Sequence, residues 1–473
     1  MMEIPCGMQE QFLEAKELIE SSNDIKIYTH TDCDGICSGA ILSIILDRLN
    51  KDYEIEFVNL DEIEDLDLDH KLTIFSDLGS GQGVDKNAKD GQKILILDHH
   101  PPLRDINYKN DKAYTYLEIN PMFYGIDGSY YVCGGGLCYF LAKTFGFKDL
   151  SWIGVLSAIG DMQNNKTGHF EGLNEIIQED AINEGLLKVT KNDLNIYGRS
   201  TRPLYVALSY FSDVKLPITN NQQEAKVVLE ELGVDEKHNR KTLSGVTEED
   251  KMEIKKFLSR MISKRVPPKY LKYVPKLIVG DAYTFLNEEE GSFLRDGSEF
   301  STAMNACGRN RKEAIGVDII KGDRLVALDA LEEVSKTHKY NLATSISKVA
   351  DNYHSEIIEL DNFQYFDCSD FDEDIASNII GTITGMVLGY CNWKKPILGF
   401  SKPKNNQIKV SLRCSKLLAY DGIHFGNMMR EIAKEVGGTG GGHAIACGAY
   451  IPNEKKSEFL DKFNRKLQGK IAN

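Results

Sequence analysis

The amino-acid sequence predicts an α/β protein whose N-terminal domain is built on a parallel sheet. Short apolar segments typical of strands follow one another between residues 25 and 119: IKIYT, YEIEFV, KLTIF, KILIL and AYTYLEI. An apolar segment typical of a buried helix, ICSGAILSIILDRL at residues 36–49, separates the first two. Near-continuous apolar strands that alternate with helices predict a parallel sheet covered on both faces, and such sheets bind ligands beyond the carboxyl ends of their strands.

The length of 473 residues predicts about three domains. We predict an N-terminal domain over residues 1–213, an inserted and mainly helical domain over 214–353, and a smaller α/β domain over 354–473. TEED at 247–250 is a capping box that predicts a helix through residue 263, and prolines at 267, 268 and 275 interrupt helical structure. Further helices are expected near 301–306, 341–353 and 375–388.

Composition and charge exclude several classes of protein. Ten cysteines without a C-x-x-C pair predict reduced thiols rather than a disulfide scaffold or a zinc site. No apolar run approaches the roughly 18–20 residues of a membrane span, and the acidic N-terminus does not resemble a signal peptide, so a cytoplasmic protein is expected. The net charge of −15 argues against a surface that coats nucleic acid throughout, but it permits a local basic groove.

Side chains suited to metal binding follow the first predicted strand. The sequence HTDCDG at 30–35 places His30, Asp32 and Asp34 at alternate positions. Alternate side chains of an extended segment share one face, so these three can converge. Gly35 permits a tight turn into the following helix, whose N-terminus favours anions. A helix N-cap is the alternative explanation for one aspartate, but not for all three residues.

Three more segments end in aspartate or histidine. FSDLGSG places Asp77 after the third strand, LDHHPP places Asp98, His99 and His100 after the fourth, and LSAIGDM places Asp161 after another apolar stretch. Each aspartate taken alone could be an ordinary cap or turn residue. Their coincidence around one sheet predicts a two-metal site, and the mixture of carboxylates and imidazoles suits manganese.

A two-metal site predicts phosphoryl chemistry. Two ions about 3.5–4 Å apart can activate a water and neutralise a phosphoryl oxygen during in-line displacement. No Ser-His-Asp arrangement or activated cysteine competes with this interpretation in the sequence, and there is no GxxxxGK[ST] loop for nucleotide hydrolysis.

The C-terminal region holds a basic segment and a glycine run. Residues 393–416 contain seven basic and no acidic residues, and IKVSLR at 408–413 alternates like a strand. The run GGTGGGH at 437–443 permits close backbone approach to an anion, and the segment AIACGAYIP after it is expected to be helix-like, which favours a phosphate-binding turn. A solvated basic surface and a flexible loop are the alternatives.

Together these motifs resemble the DHH phosphoesterase superfamily, named for the DHH triplet at 98–100. HxDxDG at 30–35, Asp77, the DHH triplet and Asp161 match its four catalytic motifs in order. GGGHAxAxG at 440–448 and VSLR at 410–413 match the DHH-associated C-terminal domain, although Cys447 stands where the family usually has alanine. Cysteine is small and commonly buried, so no loss of function is expected there. The length, the central insert, and the segments YGRSTRPL at 197–204 and MNACGR at 304–309 are similar to archaeal RecJ-like nucleases of the GINS-associated type.

The resemblance implies a role for each candidate residue. Two manganese ions, with Mg²⁺ as a possible substitute, would be held by His30, Asp32, Asp34, Asp77, His99 and Asp161, with Asp77 as the bridge. His100 would face the scissile phosphate or assist the leaving oxygen, and Asp98 would orient the histidines. A nearby phosphate of the substrate would be gripped by Arg413, Gly440, Gly441, Gly442 and His443.

The implied function is a manganese-dependent exonuclease on single-stranded nucleic acid, 5′→3′ on DNA, in replication or repair. Its partners would be single-stranded DNA or RNA, together with the GINS complex and other replisome proteins. The superfamily is related to a eukaryotic replication-helicase component that has lost its nuclease site, so a scaffold that bridges GINS and the helicase is the second hypothesis. An oligoribonuclease or cyclic-dinucleotide phosphodiesterase is the third, and the central insert disfavours it. DNA or RNA preference and polarity stay open at the level of the sequence.

Overall fold

The computed structural model describes residues 2–60, 62–108, 113–234, 241–350, 357–369 and 373–471. The chain forms two compact units, and each is made of two separate segments. Unit 1 comprises Met1–Asn192 and Asp281–Ser335, and unit 2 comprises Asp193–Gly280 and Lys336–Asn473. The domain boundaries expected after residues 213 and 353 stay predictions, and residue 353 lies outside the described residues. The two compact units divide the chain at other positions, after residues 192, 280 and 335.

The helices and strands are numbered in chain order. The strands are β1 (Ile25–His30), β2 (Tyr53–Val58), β3 (Leu72–Ser76), β4 (Lys93–Leu97), β5 (Thr115–Ile119), β6 (Leu187–Leu194), β7 (Val279–Phe285), β8 (Ile358–Glu359), β9 (Gln364–Asp367), β10 (Ile397–Phe400), β11 (Gln407–Arg413), β12 (Thr439–Gly442) and β13 (Ala446–Pro452). The α-helices are α1 (Cys6–Glu20), α2 (Cys33–Arg48), α3 (Gly134–Thr144), α4 (Ser151–Gly160), α5 (Leu173–Asn183), α6 (Leu204–Ser209), α7 (Gln222–Glu231), α8 (Glu248–Ser263), α9 (Val274–Ile278), α10 (Gly297–Arg309), α11 (Glu313–Lys321), α12 (Val326–Ala350), α13 (Glu373–Val387), α14 (Lys416–Tyr420), α15 (Phe425–Glu435) and α16 (Lys456–Leu467). Among the described residues, none of the helices combines the length and the apolar character that a membrane span requires.

Unit 1 is built on a five-stranded parallel sheet in the order β2-β1-β3-β4-β5, which confirms the predicted fold class. Every residue of β3 and all but the first of β4 are buried, as expected for strands covered on both faces. Because all five strands run in the same direction, their carboxyl ends lie along one edge of the sheet. His30 ends β1 there, and Asp77, Asp98 and Asn120 directly follow β3, β4 and β5.

The segment Asp281–Ser335 belongs to the unit of the parallel sheet, although the sequence places it in the inserted domain. Its helix α10 packs against α2 and α4. The Asn305 side chain of α10 accepts a hydrogen bond from the backbone N–H of Cys33, at 3.1 Å, in the first turn of α2. This return of the chain therefore supports the loop that carries the first predicted metal-binding motif.

Unit 2 contains a six-stranded sheet in the order β12-β13-β11-β10-β9-β8. The alternating segment IKVSLR lies in β11, as predicted, and β11 pairs antiparallel with β10 and β13. The expectation of a helix-like AIACGAYIP is wrong, because Ala446–Pro452 is the strand β13. Its two alanines favour a helix locally and its glycine weakens one. Cys447, Ala449 and Ile451 are buried at alternate positions, and pairing on both sides stabilises the strand.

Helices α8 and α12 follow the sequence expectations to different degrees. Helix α8 spans Glu248–Ser263 with Thr247 as its N-cap, as the capping box predicts. Helix α12 begins at Val326, fifteen residues before the predicted start at 341, and is described as far as Ala350, so the predicted end at 353 lies outside the described residues. The hydrophobic core of residues 194–278 also includes Trp393 and Leu417. Because these two side chains pack into that core, Asp193–Gly280 and Lys336–Asn473 form one compact unit.

A buried ionic cluster in unit 2 provides a test of stability. Asp193 accepts hydrogen bonds from Arg199 at 2.6 Å and from Lys251 at 3.2 Å, and the side chains of Asp193 and Lys251 are 1% and 6% exposed. Removing one member of a buried ionic group leaves the others uncompensated. We expect Asp193→Asn to lower the free energy of unfolding of unit 2 by about 3 kcal/mol in chemical denaturation.

The effect of Asp193→Asn should depend on pH. Burial tends to raise the pKa of Asp193, but Arg199, a backbone N–H and Lys251 hold it below its ordinary value. A carboxyl group with a lowered pKa in the folded state stabilises the fold above its unfolded pKa of about 3.9, and the stabilisation is lost as the pH falls through the folded value. The difference between parent and variant should thus be full at neutral pH and shrink in acid. Glu253→Gln, which removes an exposed ion pair with Lys256 on α8, is the control and should cost under about 0.5 kcal/mol.

Candidate metal centre

The predicted metal-binding residues converge at the carboxyl edge of the parallel sheet in unit 1. Potential ligand atoms lie within 4.8 Å of one another in three groups: His30, Asp32 and Asp77; Asp34, His99 and Asp161; and Asp77, Asp98, His99 and His100. Asp77 and His99 each belong to two groups, so the groups are continuous. Asp161 reaches the site from the end of α4 rather than from a strand of the sheet.

The first group is formed where β1 turns into α2. His30 Nδ1 lies 3.1 Å from Asp32 Oδ2 and 3.6 Å from Asp77 Oδ2. Asp32 is the N-cap of α2, and its Oδ1 accepts a hydrogen bond from Gly35 N–H. A Cβ on Gly35 would lie 2.0 Å from the carbonyl oxygen of His30, so the tight turn requires glycine. The N-cap alternative therefore holds for Asp32, yet its second oxygen still faces the cluster.

Asp34 is buried and held at the N-terminus of α3. Its Oδ2 accepts from Gly134 N–H at 2.8 Å, and its Oδ1 accepts from Gly135 N–H at 2.7 Å and from the hydroxyl of Ser157. Helix N-termini stabilise anions because their first N–H groups are unpaired within the helix. Sequence reasoning missed these partners, although the run CGGG at 133–136 before an apolar helix is a signal for an anion-binding helix start.

His99 lies at the centre of the site with its ring orientation defined. Its Nδ1 donates to the carbonyl oxygen of Gly128 at 2.7 Å. Its Nε2 lies 3.3 Å from Asp77 Oδ1 and 3.5 Å from Asp34 Oδ2. A metal-binding histidine commonly donates its other ring N–H to a carbonyl or carboxylate, which leaves the second nitrogen for the metal.

Two buried polar atoms of the site lack a hydrogen-bond partner among the described residues: Asp77 Oδ2 and His99 Nε2. Burial and the carboxylates of Asp34 and Asp32 raise the pKa of Asp77 well above its ordinary value. Burial tends to lower the pKa of His99, but Asp161, Asp77 and Asp34 outweigh it and raise that pKa. A buried cluster of carboxylates with unpaired ligand atoms fits divalent cations, which would neutralise the charge and coordinate those atoms.

Asp98 and His100 form a separate pair beside the cluster. Asp98 Oδ1 accepts from the backbone N–H groups of His99 and His100 and lies 2.8 Å from His100 Nδ1, and Asp98 Oδ2 accepts from Ser80 N–H. Burial tends to raise the pKa of Asp98, but His100 and the Ser80 amide hold it well below its ordinary value. The ionised carboxylate thus fixes His100 through Nδ1. The His100 side chain is 47% exposed, which leaves Nε2 available outside the cluster.

Asn120 is another residue that sequence reasoning missed. It is fully buried directly after β5, and its Nδ2 donates to Ser80 Oγ at 2.9 Å and to the carbonyl oxygen of His100 at 2.8 Å. It therefore links the loops that follow β3 and β4. Its place at a strand end is the only signal for this in the sequence.

The predicted phosphate-gripping residues lie together at one end of the unit 2 sheet. Arg413 ends β11 opposite Ala446 of β13, and Gly442 ends β12 opposite Cys447. His443 N–H donates to the carbonyl oxygen of Ala446 at 2.9 Å. The glycine run is an edge strand rather than the expected turn, since Gly440, Gly441 and Gly442 pair with β13. The strand ends still bring Arg413 and His443 to the same edge, roughly 10 Å apart across two strand spacings.

Three family models match segments of this chain, one in unit 1 and two in unit 2. Family models match three segments: the N-terminal domain of the DHH family at residues 24–155, the DHH-CID domain at 196–274 and the DHHA1 domain at 361–469. An uncharacterized protein of Methanocaldococcus jannaschii is 31% identical over 446 residues, which cover 93% of this chain and 92% of the relative. This chain belongs to the DHH phosphoesterase superfamily. A second uncharacterized protein of the same organism is 30% identical over 190 residues, which cover 39% of this chain and 54% of that relative.

Solved structures share the fold of this DHH protein across nearly its whole length. CDC45 from Entamoeba histolytica has a TM-score of 0.61 at 15% identity, covering 98% of this chain and 99% of CDC45. RecJ in complex with Mn²⁺ from Thermus thermophilus has a TM-score of 0.55 at 12% identity, covering 99% of this chain and 55% of RecJ. An exonuclease RecJ bound to manganese has a TM-score of 0.51 at 11% identity, and the match covers 98% of this chain and 96% of that RecJ chain. The likeness shows a RecJ-like fold.

Proposed function

We propose that this DHH protein is a manganese-dependent exonuclease that hydrolyses phosphodiester bonds of single-stranded nucleic acid, 5′→3′ on DNA, in replication or repair. The observation that carries the proposal is the convergence of six carboxylate and imidazole side chains around the unpaired atoms Asp77 Oδ2 and His99 Nε2. Two RecJ structures of the same fold hold manganese, which supports the choice of ion.

The geometry favours two ions with Asp77 between them. Asp77 Oδ2 faces His30, and Asp77 Oδ1 faces His99, so its two oxygens point to different groups of ligands. One ion would be held by His30, Asp32 and Asp77, and the other by Asp34, His99, Asp161 and Asp77. Bound manganese would supply Lewis acidity that activates a water and neutralises charge on the phosphoryl group.

His100 and Asp98 act on the substrate side of this centre. Asp98 accepts the Nδ1 hydrogen of His100 and so sets the direction of the exposed Nε2. A protonated Nε2 can donate a hydrogen bond to a phosphoryl oxygen or a proton to the leaving oxygen, and the Asp98 carboxylate stabilises the charged imidazole. Asp98 itself is shielded by its four hydrogen-bond contacts and serves to orient His100 rather than to bind metal.

Holding the strand is the proposed task of the sheet edge in unit 2. A guanidinium binds a phosphate through two parallel hydrogen bonds, and backbone N–H groups add further donors. Arg413, the glycine strand and His443 provide these groups at one edge. Candidate partners are single-stranded nucleic acid and replisome proteins such as GINS. The alternatives of a replisome scaffold and a short-oligonucleotide or cyclic-dinucleotide phosphodiesterase are distinguished from the main proposal by the assay below.

A digestion assay tests the proposed function directly. We expect 5′-labelled single-stranded DNA to release short labelled products first in manganese, 3′-labelled DNA to shorten progressively from its unlabelled end, and EDTA to stop both reactions. Faster cleavage of RNA or dinucleotides would favour the oligoribonuclease alternative. The absence of hydrolysis of every substrate in both manganese and magnesium would refute the enzyme and leave the scaffold.

A further inference from the structure

We infer that the side-chain amide of Gln163 is a positioning group that fixes the orientations of two proposed metal ligands, His99 and Asp161, relative to each other. Gln163 is 2% exposed and is not itself among the proposed ligands. Its Nε2 donates to the carbonyl oxygen of Gly128 at 2.8 Å and to Asp161 Oδ2 at 2.8 Å. The inference rests on the proposed function, because it concerns the same metal centre.

The backbone after α4 places Asp161 and Gln163 side by side. Met162 N–H donates to Ile159 O and Gln163 N–H donates to Ala158 O, the pair of hydrogen bonds that defines a Schellman motif. The residue in the left-handed conformation of this motif is usually glycine, but here it is Met162, with φ of 55°. A non-glycine residue in this conformation carries strain, and such strain is concentrated at functional sites.

The orientation of the Gln163 amide is determined by its partners. Asn174 Nδ2 donates to Gln163 Oε1 at 2.6 Å, and Asn174 is itself buried. The carbonyl oxygen of Gly128 and the ionised carboxylate of Asp161 can only accept hydrogen bonds. With the opposite amide orientation, Gln163 Oε1 would face these two acceptors, and Gln163 Nε2 would face the donor Asn174 Nδ2. Both hydrogens of the amide are thus used, one on each element that holds the centre.

Gly128 O connects this amide to His99. The same carbonyl oxygen accepts from His99 Nδ1 at 2.7 Å and from Gln163 Nε2. Asp161 Oδ2 lies 3.9 Å from His99 Nδ1, close enough to compete with Gly128 for the ring hydrogen after a small rotation. By binding both Asp161 Oδ2 and Gly128 O, Gln163 keeps the carboxylate away from Nδ1. His99 Nε2 and the carboxylate then stay directed at a common ion.

The test measures manganese binding to the full chain, with three variants. Gln163→Met keeps the length of the side chain and removes both donors. Gln163→Glu keeps the shape and replaces the donors by a carboxylate. Gln92→Met is the matched control, because Gln92 is another buried amide of unit 1 that donates to two carbonyl oxygens, of Leu68 and His70, and accepts from a backbone N–H. Gln92 precedes β4 at its amino end, roughly 20 Å from Asp98 at the other end of the strand.

We expect Gln163→Met and Gln163→Glu to weaken the affinity for Mn²⁺, measured by calorimetry on metal-free protein, by about 10- to 100-fold. The KM for DNA at saturating manganese should be unchanged, and Gln92→Met should leave the affinity for Mn²⁺ within twofold of the parent even if it lowers Tm. Gln163→Glu covers the case in which Gln163→Met does not fold.

Affinity of either folded Gln163 variant within twofold of the parent would overturn the inference, and so would an equal loss in Gln92→Met. If the parent binds Mn²⁺ but cleaves nothing, the proposed function fails while the affinities still decide the role of Gln163. If the parent binds no Mn²⁺, both the metal centre and this inference are wrong.

Discussion

Asp77→Asn should reduce the rate of cleavage of single-stranded DNA in manganese at least about 10³-fold, because a metal centre supplies several kcal/mol of transition-state stabilisation and each 1.36 kcal/mol is tenfold in rate. The two oxygens of Asp77 face His30 and His99, so the variant removes charge from both proposed ion positions at once. Among the described residues His99 also belongs to two ligand groups, but only its Nε2 is left for a metal, whereas Asp77 presents one oxygen toward His30 and the other toward His99. The measurement is single-turnover cleavage of 5′-labelled DNA.

Asparagine is a better replacement than alanine at this position. Asp77 has φ of 58°, in the left-handed region, and its N–H donates to Leu97 O. Asparagine and aspartate adopt this conformation more readily than alanine. Asp77→Ala would add backbone strain to the loss of the ligand and confuse the result. The metal-free Asp77→Asn protein should unfold at a temperature no lower than the parent, because one negative charge leaves a buried carboxylate cluster.

Asp69→Asn is the control for Asp77→Asn. Asp69 is an exposed carboxylate paired with Lys89 at the surface of the same unit, and its replacement should change neither the rate nor manganese binding. A cleavage rate for Asp77→Asn near that of the parent would show that the two-metal interpretation is wrong. A loss of secondary structure in circular dichroism would instead assign Asp77 to folding.

Arg413→Ala should mainly raise KM for single-stranded DNA, by roughly 10- to 150-fold, since one charge-assisted hydrogen-bonded contact contributes about 1.5–3 kcal/mol. Binding of Mn²⁺ should be unchanged. Salt weakens binding by competing for phosphates, and the dependence of KM on salt should become shallower in the variant, because fewer counterions are released. The measurement is KM at several salt concentrations for parent and variant.

The surroundings of Arg413 support a role in holding an anion. Its Nη1 donates to Leu412 O at 2.8 Å, and no carboxylate of the described residues is paired with the guanidinium. The side chain lies against α13, where a Cβ on Gly381 would be 3.0 Å from Nη2, so glycine provides the space. Burial lowers the pKa of Arg413, but arginine stays charged at neutral pH. An anionic ligand would compensate this charge.

Two further variants sharpen the Arg413 test. Arg413→Lys keeps the charge without the planar fork and should recover only part of the affinity. Lys409→Ala removes a basic residue of the same strand, roughly 13 Å away along β11, and should leave KM near the parental value. Identical KM and salt slope in Arg413→Ala and the parent would show that the strand is held elsewhere.

The parallel sheet could be predicted because a strand buried on both faces is a continuous run of apolar residues in the sequence. Polar residues that follow the run mark where the strand ends. The predicted strands at 53–58 and 93–97 match β2 and β4. Helix α2 starts three residues before its predicted start, because the Asp32 side chain caps it and the polar residues of the motif form its first turn. Strand β13 could not be predicted in the same way, because its pairing with β11 and β12 depends on segments distant in sequence.

By itself, the sequence determined which side chains form the candidate metal centre, because they follow apolar segments in motifs that are recognisable locally. Only the tertiary structure decided that Asp161 approaches from a helix end, and that Asp34 binds the N–H groups of Gly134 and Gly135 and the hydroxyl of Ser157, 100 to 123 positions away. The same holds for Gln163 and for the return of Asp281–Ser335 to unit 1. A ligand type is a property of one residue, whereas its orientation depends on hydrogen bonds between segments that meet only when the chain folds.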